Sequence, residues 1–234
     1  MSKNLLERLG KVSDELLIPF LKITETIGLG PALKKNTWKV SNHVLATALN
    51  SLFKFNIEGR ENVPMEGAAI LCTQKCSGVY PFMSWVIASK CANRKVYQTF
   101  DNSYFTIPAI RSWLNYCDAI EVQDGELNPH AIEYLTEKLQ EGELIGTNLF
   151  YDEHDGESGM ILNEKLGILA LDYKVPIIPI HVPNAGQAFN LKTGEISFNQ
   201  KLLATVKAPI TDHVKGGMKA SELMEVVKKS LKEK

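Results

Sequence analysis

The chain has 234 residues, which fits one globular domain or a core domain with a helical appendage. Hydrophobic residues make up 44% and charged residues 23% of the sequence, and this balance excludes a largely disordered chain. The formal net charge of −1 gives no indication of nucleic-acid binding, and no stretch has the ~20 apolar residues that span a bilayer.

Cysteine usage and the start of the sequence indicate the compartment. The four cysteines (Cys72, Cys76, Cys91 and Cys117) show no paired metal spacing. The N-terminus is charged and amphipathic rather than an apolar run, so it does not resemble a signal peptide. We therefore expect free thiols and a cytoplasmic location.

The first 54 residues predict two helices. Apolar residues recur at near-helical spacing between residues 4 and 52, and Gly28-Leu29-Gly30-Pro31 predicts the turn between the helices. Residues 1–54 carry eight basic and four acidic side chains, a net charge of +4. A basic amphipathic hairpin suits an anionic membrane surface, and its apolar face suits the cover of a core equally well. We predict a hairpin over 1–54 and an α/β core over 55–234.

The remaining sequence alternates between strand and helix patterns. Asn128 is the expected N-cap of one helix, with Pro129 at its first position and Gly142 just past its end. Strands are predicted at 68–72, 96–99, 119–122, 144–150 and 175–182, late edge strands at 196–198 and 203–206, and helices at 81–88, 128–140, 166–173 and 221–232, the last with Ser221 as N-cap. This alternation predicts an α/β fold with a mostly parallel central sheet flanked by helices.

An ordered set of short segments carries a family resemblance. The segments are 55–64, 105–108, 119–122, 139–142, 165–167 and 175–180, and they span more than half of the chain. Together they resemble the glycerol-phosphate and lysophospholipid (PlsC-like) acyltransferases. The resemblance implies that family's α/β core, a groove for an acyl chain, and acyl-CoA or acyl-ACP as a thioester donor, with no permanently bound cofactor.

The family's first motif, His-x-x-x-x-Asp, is altered in this chain. Lys75 stands in place of the His that takes a proton from the acceptor hydroxyl, and Tyr80 stands in place of the Asp that orients it. An ammonium group is protonated near pH 7, and a phenol does not supply a carboxylate's charge. Lys75 and Tyr80 are nevertheless the candidate catalytic residues.

The family's phosphate-binding arginines are replaced by acids. Asp124 and Asp155 match the two Arg positions, and Gly159 and Gly167 fix the register for Asp155. A carboxylate repels phosphate where Arg holds it through two hydrogen bonds, so the resemblance implies a changed ligand. The candidate pocket residues are Gln74, Cys76, Ser77, Asp124, Asp152, Glu153, His154 and Asp155.

Several sharper interpretations compete with simpler ones. Lys75 is either a base or nucleophile, or a structural cation paired with Asp152 or a nearby acid. A Cys76–His154 dyad and a metal site at Asp152, His154 and Asp155 are weaker interpretations, and we predict no metal. The acids between 141 and 164 form either a solvated loop or a pocket wall. His43, His130, His181 and His213 lie outside the motifs and are treated as surface or packing residues.

Three functions follow from the sequence. The first is a protein that binds an acyl or other lipid chain, with His-dependent transfer to phosphate-bearing acceptors lost or replaced. The second is an active acyltransferase that uses a neutral or amine acceptor, with Lys75 or Tyr80 in the proton path. The third is a non-enzymatic interaction protein. The expected partners are a lipid chain and a membrane surface, contacted through the hairpin, and not nucleic acid.

Overall fold

A computed structural model describes residues 30–74, 79–106, 108–122, 127–151, 160–161, 164–183, 185, 189–190, 195–196 and 201–232. Its helices are α1 (Gly30–Phe53), α2 (Tyr80–Ala92), α3 (Asn102–Phe105), α4 (Pro108–Tyr116), α5 (Pro129–Gln140), α6 (Glu164–Asp172) and α7 (Ala220–Lys232). Its strands are β1 (Asn56–Glu58), β2 (Ala69–Thr73), β3 (Val96–Asp101), β4 (Ile120–Val122), β5 (Leu144–Asn148), β6 (Phe150–Tyr151), β7 (Met160–Ile161), β8 (Ile177–His181), β9 (Phe189–Asn190), β10 (Glu195–Ile196) and β11 (Leu203–Val206).

Within these residues, seven strands form one sheet in the order β1-β11-β8-β2-β5-β3-β4. The five strands from β8 to β4 are parallel, whereas β11 runs antiparallel to β8 and β1 runs parallel to β11. Every residue of β2 and β5 is buried, as expected for strands covered on both faces. The prediction of a mostly parallel sheet flanked by helices is confirmed.

Helices cover both faces of the sheet, and each face has its own apolar core. On the α1–α4 face, residues of α1, α2, α3 and α4 pack on Leu71 of β2 and Ile178 of β8. On the α5–α7 face, residues of α5, α6 and α7 pack on Ile70 and Ile145. Because side chains alternate along a strand, neighbouring residues of β2 pack into the cores on opposite faces of the sheet.

The described part of the N-terminal segment is one helix that covers the sheet. Ala46, Leu49 and Phe53 of α1 are buried in the core of the α1–α4 face, whereas Val40 is 64% exposed. This half of the predicted hairpin therefore covers the core. Its first helix and the first two residues of the predicted turn lie outside the described residues, while Gly30 and Pro31 begin α1. Among the helices described, α1 included, none is both long and apolar enough to cross a membrane.

Three predicted elements differ from the structure. The strand at 203–206 is not an edge strand, because β1 pairs with its outer side. Ile196 pairs with Phe189 in a separate two-stranded sheet, while residues 197–198 lie outside the described residues. The last helix begins at Ala220, before Ser221, and the Lys219 amide donates to the Glu222 carboxylate over 3.1 Å. Helices α3 and α4 were not predicted.

Candidate functional site

The parallel strands end at one edge of the sheet, called here the carboxyl edge. The chain leaves β2 at Thr73, β5 at Asn148 and β8 at His181, and these strands are neighbours in the sheet. After β2 the chain continues into α2 on the α1–α4 face, and after β5 it continues towards α6 on the other face. Such a switch point between adjacent parallel strands opens a crevice where ligands bind in α/β proteins.

The predicted site residues belong to the segments that follow β2, β4 and β5. Of them, the structure describes Gln74, directly after β2, and Tyr80, the first residue of α2. Lys75, Cys76, Ser77, Asp124, Asp152, Glu153, His154 and Asp155 lie outside the described residues. The described ends of β2, β4 and β5, from which these segments leave, share the carboxyl edge, and the catalytic and pocket assignments stay predictions.

Tyr80 is a core residue at the start of α2. It is 3% exposed and belongs to the apolar core of the α1–α4 face. Pro81 follows at the helix start, where a missing backbone N–H costs nothing. The candidate catalytic residue Tyr80 is therefore a buried phenol.

A polar cluster at the carboxyl edge joins β2, β8 and the end of α7. The Gln74 amide oxygen accepts from the Val182 N–H over 2.9 Å, and its amide nitrogen donates to the Leu231 carbonyl over 3.2 Å. His181 Nδ1 lies 2.7 Å from the same carbonyl and 2.9 Å from the Gln74 nitrogen. Both side chains thus converge on one carbonyl in the last turn of α7.

The Leu231 carbonyl fixes the tautomer of His181. A carbonyl oxygen only accepts hydrogen bonds, so His181 Nδ1 carries the proton that it shares with Leu231. The Gln74 nitrogen is also a donor, and it is therefore a neighbour of Nδ1 rather than its hydrogen-bond partner. In the neutral ring this leaves Nε2 with its lone pair.

Buried polar side chains lie under the carboxyl edge. The Thr73 hydroxyl donates to the Asn148 amide oxygen, and the Asn148 nitrogen donates to the Thr99 carbonyl over 3.1 Å. Deeper in the sheet, the Ser84 hydroxyl donates to the Gln98 amide oxygen. A side chain at Gly146 would overlap that oxygen, so the glycine makes room for the pair.

An aromatic wall flanks the same edge on the α1–α4 face. It consists of Phe82, Trp85, Phe100, Tyr104 and Trp113. Phe82, in the first turn of α2, contacts the other four rings at centroid distances of 5.0–6.0 Å and stacks on Trp113 at 5.6 Å. The Trp113 ring nitrogen donates to Ser41 of α1 over 2.8 Å. Phe82 and Trp113 are half-buried, so the wall presents aromatic surface to its surroundings.

The described thiols are protonated at neutral pH. Burial raises the pKa of Cys72 to about 12 and that of Cys117 to about 11, and it raises the pKa of Cys91 as well. A thiol is a weak nucleophile until it is deprotonated, so none of the three suits covalent catalysis. In the part of the chain that the structure describes, no three His, Cys, Asp or Glu side chains are grouped to hold a metal ion.

Sequence reasoning missed the position of His181. It treated this residue as an ordinary surface or packing residue, whereas the structure places it at the end of β8 in contact with Gln74. A signal was present, because His181 directly follows the apolar segment 177–180 and parallel strands end at a common edge. Using that signal requires knowing that β8 lies beside β2.

The protein thus has an α/β fold, and its candidate site lies at the carboxyl edge of a mostly parallel sheet. No protein-family model matches the chain, and a search of curated proteins finds no match. Among solved structures, the 1-acyl-sn-glycerophosphate (LPA) acyltransferase PlsC from Thermotoga maritima is similar, with a TM-score of 0.62 and 17% identity over 99% of this chain and 95% of that chain. The Legionella pneumophila ATPase DotB aligns with a TM-score of 0.35 and 14% identity over 74% of this chain and 55% of that chain. The likeness to PlsC shows an acyltransferase-like fold.

Proposed function

We propose that this protein binds an acyl or other lipid chain at the carboxyl edge, and that His-dependent transfer to phosphate-bearing acceptors is lost or replaced. The observation that carries the proposal is the aromatic wall beside the carboxyl edge, in a fold similar to that of an acyltransferase. Burying apolar surface contributes ~25 cal/mol per Å², so contact between a long chain and such a wall is favourable.

The composition of the wall suits a flexible apolar ligand. Trp85, Phe100 and Tyr104 are almost fully buried and hold the wall in place, while Phe82 and Trp113 are half-buried. Rings that pack edge to face keep their faces in fixed positions. A chain lying along Phe82 and Trp113 gains contacts without the cost of ordering these side chains.

The residues at the motif positions support the second half of the proposal. Tyr80, in place of the orienting Asp, is buried in the core of the α1–α4 face. Lys75 replaces the base, and Asp124 and Asp155 replace the phosphate-binding arginines. We propose that the ligand head is neutral or cationic, that acyl-CoA or acyl-ACP delivers the chain, and that the segment 1–54 contacts the membrane.

Tryptophan quenching by a brominated acyl chain tests the binding. The three tryptophans are Trp38 on α1, Trp85 in the core, and Trp113 on the wall. A long-chain acyl-CoA with bromine atoms along the chain quenches an indole that the chain contacts. We expect saturable quenching in the wild type, loss of most of it in Trp113→Phe, and little change in the matched control Trp38→Phe.

The outcomes distinguish the possible functions. Absence of quenching, together with no lipid retained in native mass spectrometry, contradicts chain binding and favours an interaction protein. Release of free CoA that disappears in Lys75→Ala favours the active enzyme with Lys75 in the proton path. Quenching without CoA release supports a binding protein on an altered acyltransferase-like site.

A further inference from the structure

The structure places an imidazole at the carboxyl edge, beside the residue that precedes the altered motif. His181 ends β8, which pairs with β2 directly up to the Thr73–Ile180 register, so the imidazole stands beside the residue that leads into the segment 75–78. The ring is partly exposed, and Gln74 contacts it from the neighbouring strand. The side chain therefore lies at the carboxyl edge, beside the end of β2 and against the last turn of α7, and it is partly exposed.

The hydrogen bonds of the His181 ring involve Nδ1 and leave Nε2 available to accept a proton. Nδ1 donates to the Leu231 carbonyl, and the Gln74 nitrogen donates to the same oxygen. Among the described residues, Nε2 has no hydrogen-bond partner. A backbone carbonyl that holds Nδ1–H plays the orienting part that a carboxylate plays in a catalytic triad, and it stabilises the tautomer whose Nε2 accepts a proton.

The other described histidines lack this combination. His213 is 2% exposed, and its Nε2 donates to the Val175 carbonyl over 2.8 Å, away from solvent. His130 is 95% exposed on α5, and His43 is exposed on α1. Among the described histidines, His181 alone combines a fixed tautomer, partial exposure and a position on the carboxyl edge.

We propose that His181 is the proton acceptor for attack on an acyl thioester at the carboxyl edge, with Gln74 and the Leu231 carbonyl as its positioning groups. This rests on the proposed acyl-chain site. Nε2 takes the proton of a water molecule or hydroxyl as its oxygen bonds to the thioester carbon. The C–S bond then breaks, and the imidazolium returns the proton to the leaving thiolate. The net reaction yields a carboxylic acid or ester and a free thiol.

The test follows the release of free CoA from a long-chain acyl-CoA by chromatography. Positioned proton transfer contributes about 10²–10⁴-fold to a rate, so His181→Gln, whose amide N–H still reaches Leu231, is expected to lower kcat at least ~100-fold. The quenching affinity for the brominated chain is expected to stay unchanged, because the change removes only an interaction made in the transition state. His130→Gln is the matched control and keeps the wild-type rate.

Rescue separates a chemical role from a structural one. In His181→Ala, free imidazole in the buffer is expected to restore part of the CoA release with saturation, which repacking of the fold does not explain. His181→Asn serves if His181→Gln shows no cooperative melting. Wild-type rates in His181→Gln or His181→Asn, or no rescue, overturn the proposal. Chain binding without CoA release in the wild type also overturns it, while the proposed lipid-binding function then stands.

Discussion

The two edges of the sheet use their polar groups in opposite ways. At the amino edge, where the parallel strands begin, Arg94 donates to the carbonyls of Pro64, Gly67 and Gly142 over 3.2, 2.7 and 2.6 Å. At the carboxyl edge, His181 Nδ1 donates to the Leu231 carbonyl, and Nε2 has no hydrogen-bond partner among the described residues.

At the amino edge, backbone carbonyls of three loop residues accept hydrogen bonds from Arg94. Gly67 and Gly142 have φ values of +78°, which most side chains avoid, and these turns aim their carbonyls at one guanidinium. The Arg94 bonds tie the loops before β2 and β5 to the start of β3. The amino edge therefore holds the strands together, whereas the carboxyl edge carries the polar groups of the candidate site.

The largest expected effect is on the amino edge. Arg94→Ala removes three hydrogen bonds from a charged group, each worth ~1.5–3 kcal/mol before partial replacement by water, so the free energy of unfolding should fall by ~2–4 kcal/mol. Urea denaturation measures this, and acyl-chain quenching at low denaturant should not change. Arg111→Ala, at an exposed position on α4, is the control. Equal effects of the two variants would remove the distinction between the edges.

A smaller loss of stability at the carboxyl edge should come with a loss of binding. Asn148→Ala leaves the buried Thr73 hydroxyl without its amide partner and should lower the free energy of unfolding by ~2 kcal/mol. Because Asn148 precedes the segment that contains the pocket candidates, quenching by the brominated chain should weaken too. Asn115→Ala, on the exposed surface of α4, should change neither quantity. Unchanged binding in Asn148→Ala would argue against a site at this edge.

Alkaline pH should lower the free energy of unfolding through Cys72, a buried thiol in the middle of the sheet. The buried Cys72 thiol has a pKa of about 12, whereas a thiol in the unfolded chain titrates at ~8.5. The folded state then binds more protons, so stability is complete below ~8.5 and falls by up to ~1.4 kcal/mol per pH unit as the pH rises towards 12. Cys72→Ala should flatten the dependence of the unfolding free energy on pH between about 8.5 and 9.5. Parallel slopes in the two proteins would contradict the burial of this thiol.

The smallest effect tests local structure near the carboxyl edge. The Asn128 side chain accepts from the Ala131 N–H over 2.8 Å and caps α5. Asn128→Ala should cost ~1 kcal/mol of unfolding free energy, and Asn128→Asp should cost much less because a carboxylate also caps a helix. Binding of the brominated chain should be the same in both. A binding defect in Asn128→Ala alone would extend the site to the start of α5.

Local signals in the sequence predicted much of the fold. The runs at 68–72, 144–150 and 175–182 predicted strands because strands buried on both faces are continuously apolar. Asn128 and Pro129 predicted the start of α5, and the structure confirms it. The helix α4 was missed, although Pro108 is a typical first helical residue and the apolar and polar side chains fall on opposite sides of the helix.

The candidate site could be predicted only in part. The motif comparison identified Gln74 and Tyr80 from their neighbours in the sequence, and the structure places Gln74 at the carboxyl edge and Tyr80 in the core beside it. It did not identify His181, because a single histidine after an apolar strand has no local signature. Nor did it indicate the aromatic wall, whose rings come from α2, β3, α3 and α4.

The sequence by itself determined the class of sheet and the cap of α5, and it predicted Lys75 and Tyr80 as residues of the candidate site. These depend on residue type and on spacing within about ten residues. Only the tertiary structure decided that Gln74 meets His181, 107 residues away, and the Leu231 carbonyl, 157 residues away. Such contacts depend on the order of strands in the sheet, which is set by how all the apolar faces pack together and not by any one segment.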